Sequence, residues 1–310
     1  MSDAREWPRI AVVGAGAVGG YFGGMFARAG APTVFIGRKH FADAVNSKGL
    51  VLDKSEGEER IGATATVDMS AVRECRLILL SVKANDTLAT ARQMSPFVRR
   101  DATVVCLQNG VDNADQVRAA ANVSAVPAVV YVAVSVPESG RVKHLARGDL
   151  IIGRSEKATQ LADIFVRAGI PCRISDNIEG DLWVKLLRNC ALNAISALGH
   201  VRYGQIVRSA DARGVMKHIV DEVLTVARAA GVVLPGVHDR QSGMAAAMEL
   251  ATQMADAFSS TAQDLNRGRL TEIDALNGYI SRRGAELGVP VPVNHALFTL
   301  VKLAEQKGST

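Results

Sequence analysis

The chain has 310 residues, 48% of them hydrophobic and 22% charged, with a formal net charge of +5. That balance belongs to a globular protein with room for two domains and argues against a disordered or membrane-embedded chain. The 36 basic and 31 acidic residues are scattered, neither blocked nor interleaved with aromatics, so no nucleic-acid partner is expected and an anionic small molecule suits the field.

The N-terminal stretch MSDAREWPRI carries both charge signs, and the apolar run after it is short and interrupted by glycines. Neither a secretion signal nor a membrane contact is expected, and the expected compartment is the cytoplasm. RIAVV (9–13) predicts a strand, Ala17 to Ala29 a helix, and TVFIG (33–37) a second strand. GLVLDKSEGEERIGATATV (49–67) places a charged turn between short apolar runs, which predicts a hairpin insertion. RLILLSVK (76–83) and TVVCLQNG (103–110) are continuous apolar strands, the mark of a parallel sheet covered by helices on both faces.

Residues 125–153 are rich in valine and read as strands joined by turns at Pro-Glu-Ser-Gly and at Arg-Gly-Asp. ATQLADIFVRAG (158–169) predicts a helix leading into IPCRIS, and the polar stretch SDNIEG (175–180) is the expected boundary. Beyond it DLWVKLLRNCALNAISAL (181–198), ARGVMKHIVDEVLTVARAAG (212–231) and TEIDALNGYISRRGAELG (271–288) each show helical apolar spacing, the last two ending in a plausible capping Gly. The fold class is therefore α/β, with a Rossmann-type parallel-sheet domain over residues 1–178 and an all-α domain over 179–310. Cys75, Cys106, Cys172 and Cys190 lie far apart without a C-x-x-C pair, so buried thiols are expected rather than disulfides or metal ligands.

GAGAVG (14–19) places Gly14, Gly16 and Gly19 in a G-x-G-x-x-G pattern between the first strand and its helix. The pattern supplies a tight turn, close approach to a pyrophosphate, and close helix-to-strand packing, with the N–H groups of the helix start facing phosphate charge. Dinucleotide binding by Gly14, Ala15, Gly16, Ala17, Val18 and Gly19 is expected. The second strand ends in Gly37-Arg38-Lys39 with no carboxylate for a ribose 2′-hydroxyl, which favours NADP, with Arg38 on the 2′-phosphate and Lys39 a weaker candidate. Lys83 and Asn109 stand at the carboxyl ends of two further strands, where such sheets bind ligands, although Asn-Gly is also ordinary turn chemistry.

None of the six histidines pairs with a carboxylate at a diagnostic spacing or shows metal-ligand spacing. Lys185, Asn189 and Asn193 recur at i, i+4 and i+8 on one helix face. Asp181, Arg188 and Ser196 widen that stripe, so a solvated face and a functional face remain even readings of the pattern. In DAFSSTAQDLNRGRLTEIDALNG (256–278), Ser259 and Ser260 suit a helix cap, Thr271 with Asp274 a capping box, and Glu272 the acid-favouring first turn.

The ordered set GAGAVGGYFGG, SVK, LQNG, WVKLLRNCALNAISAL, SSTAQDL and TEIDALNGYI…GVPVPVNHAL resembles the ketopantoate reductases (2-dehydropantoate 2-reductases) over essentially the whole chain. The resemblance implies a Rossmann domain joined to a helical domain of the 6-phosphogluconate dehydrogenase C-terminal type, and NADPH-dependent reduction of ketopantoate to pantoate on the route to coenzyme A. It implies Lys185 as proton donor to the ketone oxygen, Glu272 as partner of a substrate hydroxyl or of the lysine, and Ser260 as ligand of the substrate carboxylate. Asn189 and Asn193 become substrate-side donors, Lys83 a cofactor-side residue, and Asn109 one that cofactor and substrate share.

One departure stands out. The family usually reads Ser-Met-Leu-Gln-Asp after a basic or amide side chain, whereas here Ala257 and Phe258 precede Ser259-Ser260-Thr261-Ala262-Gln263-Asp264. A reductase of another branched 2-keto acid is therefore an open alternative, as is a non-catalytic NADP(H)-binding sensor. A homodimer is the oligomer kept in view.

Overall fold

The computed structural model describes residues 6–307. The first five residues, part of the stretch weighed above as a signal, lie outside the described residues. Two compact units divide the chain. One runs to Gln108 and resumes over Asp112–Ile178, and the other joins Asn109–Val111 to the residues from Glu179 onward.

The first unit opens with β1 (Ile10–Val13), α1 (Ala17–Arg28), β2 (Thr33–Ile36), α2 (Lys39–Lys48), β3 (Leu50–Lys54), β4 (Gly57–Ile61) and β5 (Thr64–Thr66). It continues through β6 (Leu77–Leu80), α3 (Thr87–Met94), β7 (Thr103–Cys106), α4 (Asn113–Ala121), β8 (Ser124–Ser135), β9 (Arg141–Gly153), α5 (Ala158–Arg167) and β10 (Cys172–Ser175). The strand order is β4-β3-β9-β8-β7-β6-β1-β2-β5, with β10 paired to β9. From β5 to β8 every pair is parallel, and β1, β6 and β7 are buried at every position, which is why they read as unbroken apolar runs. The chain order reverses between β1 and β6, and at such a switch point ligands lie beyond the carboxyl ends of the strands.

The hairpin expected over 49–67 forms from β3 and β4, but its last run does not belong to it. Thr64–Thr66 is β5, a parallel edge strand beside β2. The turn expected at Arg-Gly-Asp is a correction too. β8 and β9 keep pairing on both sides, from Tyr131 opposite Asp149 to Val132 opposite Arg147, so Gly148 is the extra residue of a bulge. Arg147 (φ 59°) and Gly148 (φ 139°) take up the bend, and Arg147 is held by Asp149 at 2.7 Å and by the Tyr131 ring at 4.1 Å.

α1 is buried from Gly19 to Phe26 because the sheet covers more than one of its faces. A Cβ on Gly23 would lie 2.5 Å from Phe35 and Val12, one on Gly24 2.8 Å from Leu52, and one on Gly20 2.6 Å from Val142. These glycines, costly in a free helix, let side chains of β1, β2, β3 and β9 pack directly on the α1 backbone.

The second unit is helical: α6 (Ile178–Gly199), α7 (Tyr203–Arg208), α8 (Ala210–Ala229), α9 (Arg240–Gln253), α10 (Ser260–Asn266), α11 (Asn277–Leu287) and α12 (Pro292–Lys307). α6 contributes Trp183, Leu186, Leu187, Cys190, Ala191 and Leu192 to one buried apolar core that also holds the α8 residues Met216, Ile219 and Val223. The single helix expected over 271–288 is divided. A 3₁₀ turn, Ile273–Ala275, ends at Leu276 (φ −111°, ψ −108°), and α11 starts after it, closed by left-handed Gly288.

The expected Thr271–Asp274 capping box does not form. Glu305 of α12 accepts from the Thr271 N–H at 2.8 Å and from its hydroxyl at 2.6 Å, while Asp274 is drawn to Lys302 at 3.0 Å. Burial alone would raise the Glu305 carboxyl, but hydrogen bonds from Lys302 and Thr271 outweigh it and hold the group below its ordinary value.

Cys75, Cys106 and Cys190 are buried and Cys172 half-buried, all as free thiols. Burial pushes Cys75 and Cys172 up to about 11 and Cys106 to about 12, so none offers a thiolate near neutrality. Among the described residues no helix is long and apolar enough to cross a membrane, and no His, Cys, Asp and Glu cluster is arranged to hold a metal ion.

Candidate active site

In the first unit the glycine turn sits at the switch point. Gly14 has φ 94°, and a Cβ there would lie 2.4 Å from the Val82 nitrogen and 2.7 Å from the Ser81 carbonyl carbon. The Ser81 hydroxyl donates to the Gly14 carbonyl at 2.8 Å, and a Cβ on Gly19 would fall 2.2 Å from that hydroxyl oxygen. Gly16 differs: it is exposed, and a Cβ on it would meet nothing within 4 Å. As N-cap of α1 it is followed by the N–H groups of Ala17, Val18 and Gly19, which have no intrahelical acceptor, and no acidic side chain lies in that turn. Closed beneath and open above, with unpaired donors and the positive end of a helix dipole, the turn fits a pyrophosphate.

Gly37 brings the end of β2 against the turn, since a Cβ there would lie 3.2 Å from that of Ala15. The next residue, Arg38, is exposed, and its guanidinium makes no hydrogen bond or ion pair among the described residues. Lys39 is held by Asp43 at 2.7 Å, which separates the two cations that sequence alone leaves side by side.

Beyond β6, half-buried Lys83 precedes a short 3₁₀ turn, Ala84–Asp86. Beyond β7 the chain passes through Gln108 to Asn109. The Thr87 hydroxyl donates to Asn113 Oδ1 at 2.8 Å and accepts from Gln108 Nε2 at 3.1 Å, all three side chains being buried. This relay ties the loop after β6, the loop after β7 and the start of α4. Nothing in the sequence singled it out, because its members lie 21 and 26 residues apart. Thr87→Val is expected to lower stability by about 1–3 kcal/mol through unpaired buried amide groups. Thermal unfolding checks it, with Thr87→Ser restoring the loss; no change in Tm would deny the relay its role.

In the second unit the α6 stripe is not a solvated face. Lys185, Arg188 and Asn189 are half-buried, and Asn193 and Ser196 are only 3% and 0% exposed. Asn193 Oδ1 accepts from the Tyr203 hydroxyl at 2.9 Å, and burial pushes that phenol up, keeping it a donor. Ser259 caps α10 by accepting from the Ala262 N–H at 3.0 Å, and its hydroxyl donates to the Asn193 carbonyl at 3.1 Å. Ser259 is thus the buried structural serine, and Ser260, the first residue of α10, is the exposed one.

Glu272 is half-buried and accepts from Asn109 Nδ2 at 2.9 Å. Two residues 163 positions apart, each noted separately in the sequence, are therefore one carboxylate–amide pair. The second unit thus carries an ammonium on α6, amides on the same helix, a carboxylate oriented by an amide, and an exposed hydroxyl.

The sequence pattern described as "Ketopantoate reductase PanE/ApbA" matches residues 10–157, and that of its C-terminal part matches residues 177–305. The chain belongs to the ketopantoate reductase family. A 2-dehydropantoate 2-reductase of Pyrobaculum aerophilum is 32% identical over 299 residues, which are 96% of this chain and 98% of that protein.

The crystal structure of a PanE/ApbA family ketopantoate reductase from Ralstonia eutropha is 43% identical, with a TM-score of 0.92 over 97% of this chain and all of that one. The ternary structure of D-mandelate dehydrogenase with NADH and anilino(oxo)acetate is 26% identical, with a TM-score of 0.90 over 97% and 100% of the two chains. As a ketopantoate reductase family member, the chain is an oxidoreductase of the nicotinamide-dependent kind, and the parallel sheet followed by helices is the family fold.

Proposed function

We propose that this protein reduces ketopantoate to pantoate with NADPH. The observation that carries the reading is Lys185, a half-buried ammonium on a helix where Trp183, Val184, Leu186 and Leu187 are all buried. Apolar neighbours thus hold the lysine stem, which positions the ammonium at its tip. A nicotinamide dinucleotide held through its pyrophosphate at the glycine turn would supply the hydride that reduces the ketone carbon.

Lys185 hydrogen-bonds the ketone oxygen and gives it a proton as negative charge develops there. The Glu272–Asn109 pair accepts from a substrate hydroxyl or from the lysine, and Asn189, with the free amide edge of Asn193, donates to the substrate. Ser260 donates to its carboxylate. Lys83 serves the cofactor. The assay is oxidation of NADPH by purified protein with ketopantoate; tight cofactor binding with no turnover on any branched 2-keto acid would overturn the reading.

A second substrate reading rests on the Ala257-Phe258 segment and on the fold shared with D-mandelate dehydrogenase, a protein seen with NADH and an aryl-bearing oxo acid analogue. A panel of branched and aryl 2-keto acids separates the two. Arg38 supports NADPH over NADH. Arg38→Ala is expected to raise the KM for NADPH about 10- to 100-fold, the worth of hydrogen bonds to a charged phosphate, and to leave that for NADH unchanged. Equal effects on both cofactors would remove Arg38 from the 2′-phosphate.

A further inference from the structure

We infer that Arg202 is the cationic anchor for the substrate carboxylate, an inference that rests on the 2-oxo acid reading above. A 2-oxo acid carries its charge next to the carbonyl, and a guanidinium is the side chain best shaped to receive it. Lys185 is committed to the ketone oxygen, and Arg188 on the same helix has Glu249 at 3.7 Å.

Arg202 is differently placed. Tyr203, its neighbour in the chain, is bonded to Asn193, and the Tyr203 and Gly204 N–H groups donate to the carbonyls of Ala257 at 3.0 Å and Ala255 at 2.9 Å. Ser259 is sewn to the same end of α6: its N–H donates to the Ser196 hydroxyl at 3.1 Å and its hydroxyl to the Asn193 carbonyl. Two loops, one ending in Arg202-Tyr203 and one in Phe258-Ser259-Ser260, are thereby fixed beside Asn193.

On this frame the Arg202 guanidinium donates to the Asp256 carbonyl and lies 5.1 Å from the centre of the Phe258 ring. One donor and one flat face are used, no carboxylate pairs with it among the described residues, and the side chain is exposed. A guanidinium has five N–H donors, so a fork remains for a bidentate carboxylate. Phe258, the unexpected aromatic in the segment, is the platform that orients it.

The test is calorimetric titration of the NADP⁺-loaded protein with ketopantoate and with its uncharged primary amide, beside steady-state kinetics. Arg202→Gln is expected to weaken binding of the acid about 10- to 100-fold, the worth of hydrogen bonds to a charged group, while binding of the amide and of NADP⁺ is unchanged. Arg202→Lys recovers part of the loss, as a point charge without the fork. A loss shared equally by acid and amide would make Arg202 a packing residue and overturn the inference, as would no loss at all. Acid binding that depends on Arg202 without NADPH oxidation would sustain the anchor and overturn the reductase reading. NADPH oxidation by the variant with an unchanged KM for the acid would do the reverse.

Discussion

Lys185→Ala is expected to lower kcat for 2-keto acid reduction by about 10²–10⁴-fold, the range that a positioned proton donor contributes, with NADP⁺ affinity unchanged. The fold is expected to survive. Alanine is the best helix former, and the neighbours that hold α6 in place, Trp183, Leu186, Leu187 and Cys190, are buried and untouched. Lys185→Arg sharpens the test, because it keeps the charge and the reach but does not surrender a proton in the working pH range. If arginine restored turnover, the residue would be an electrostatic clamp; if alanine turned over normally, the lysine would have no part in the reaction.

The glycine turn, the alternation of apolar strands with helices, and the length of α6 could be read from the chain because each is a local pattern. β1, β6 and β7 are buried on both faces, so their sequences are apolar throughout, and the turn needs glycines at fixed offsets. The α6 stripe was legible only as far as its spacing. Periodicity reports that Lys185, Asn189 and Asn193 share a face, not whether that face meets water, and Asn193 met Tyr203 instead.

Pairings across the chain left no trace. In the contacts of Asn109 with Glu272 and of Thr271 with Glu305, the first three of these residues each have an adequate local explanation, as turn, dipole partner and cap, and nothing local points to the fourth. The Arg-Gly-Asp bulge misled for a related reason. The composition is that of a turn, but the ladder between β8 and β9 resumes beyond it, and the gain from pairing both flanks outweighs the strain at Arg147.

The second large effect comes from separating two glycines that the G-x-G-x-x-G pattern treats alike. Gly14→Ala puts a methyl group 2.4 Å from the Val82 backbone nitrogen in a residue held at φ 94°. Backbone strain of about 1–3 kcal/mol adds to overpacking of similar size, so about 2–6 kcal/mol of stability is expected to be lost. Val82 cannot easily retreat, because Ser81 is bonded to Val13 and Gly14, and β6 is paired on both sides.

Gly16→Ala meets nothing within 4 Å and sits at φ −83°, so unfolding by heat or denaturant is expected to be unchanged. Its methyl group nevertheless enters the space above the α1 N–H groups where a pyrophosphate would rest, and NADPH affinity is expected to fall steeply in a protein as stable as the parent. A Gly16→Ala variant that bound NADPH normally would show that the turn does not receive phosphate. A Gly14→Ala variant of unchanged stability would show that the turn yields where its contacts with Val82 and Ser81 say it cannot.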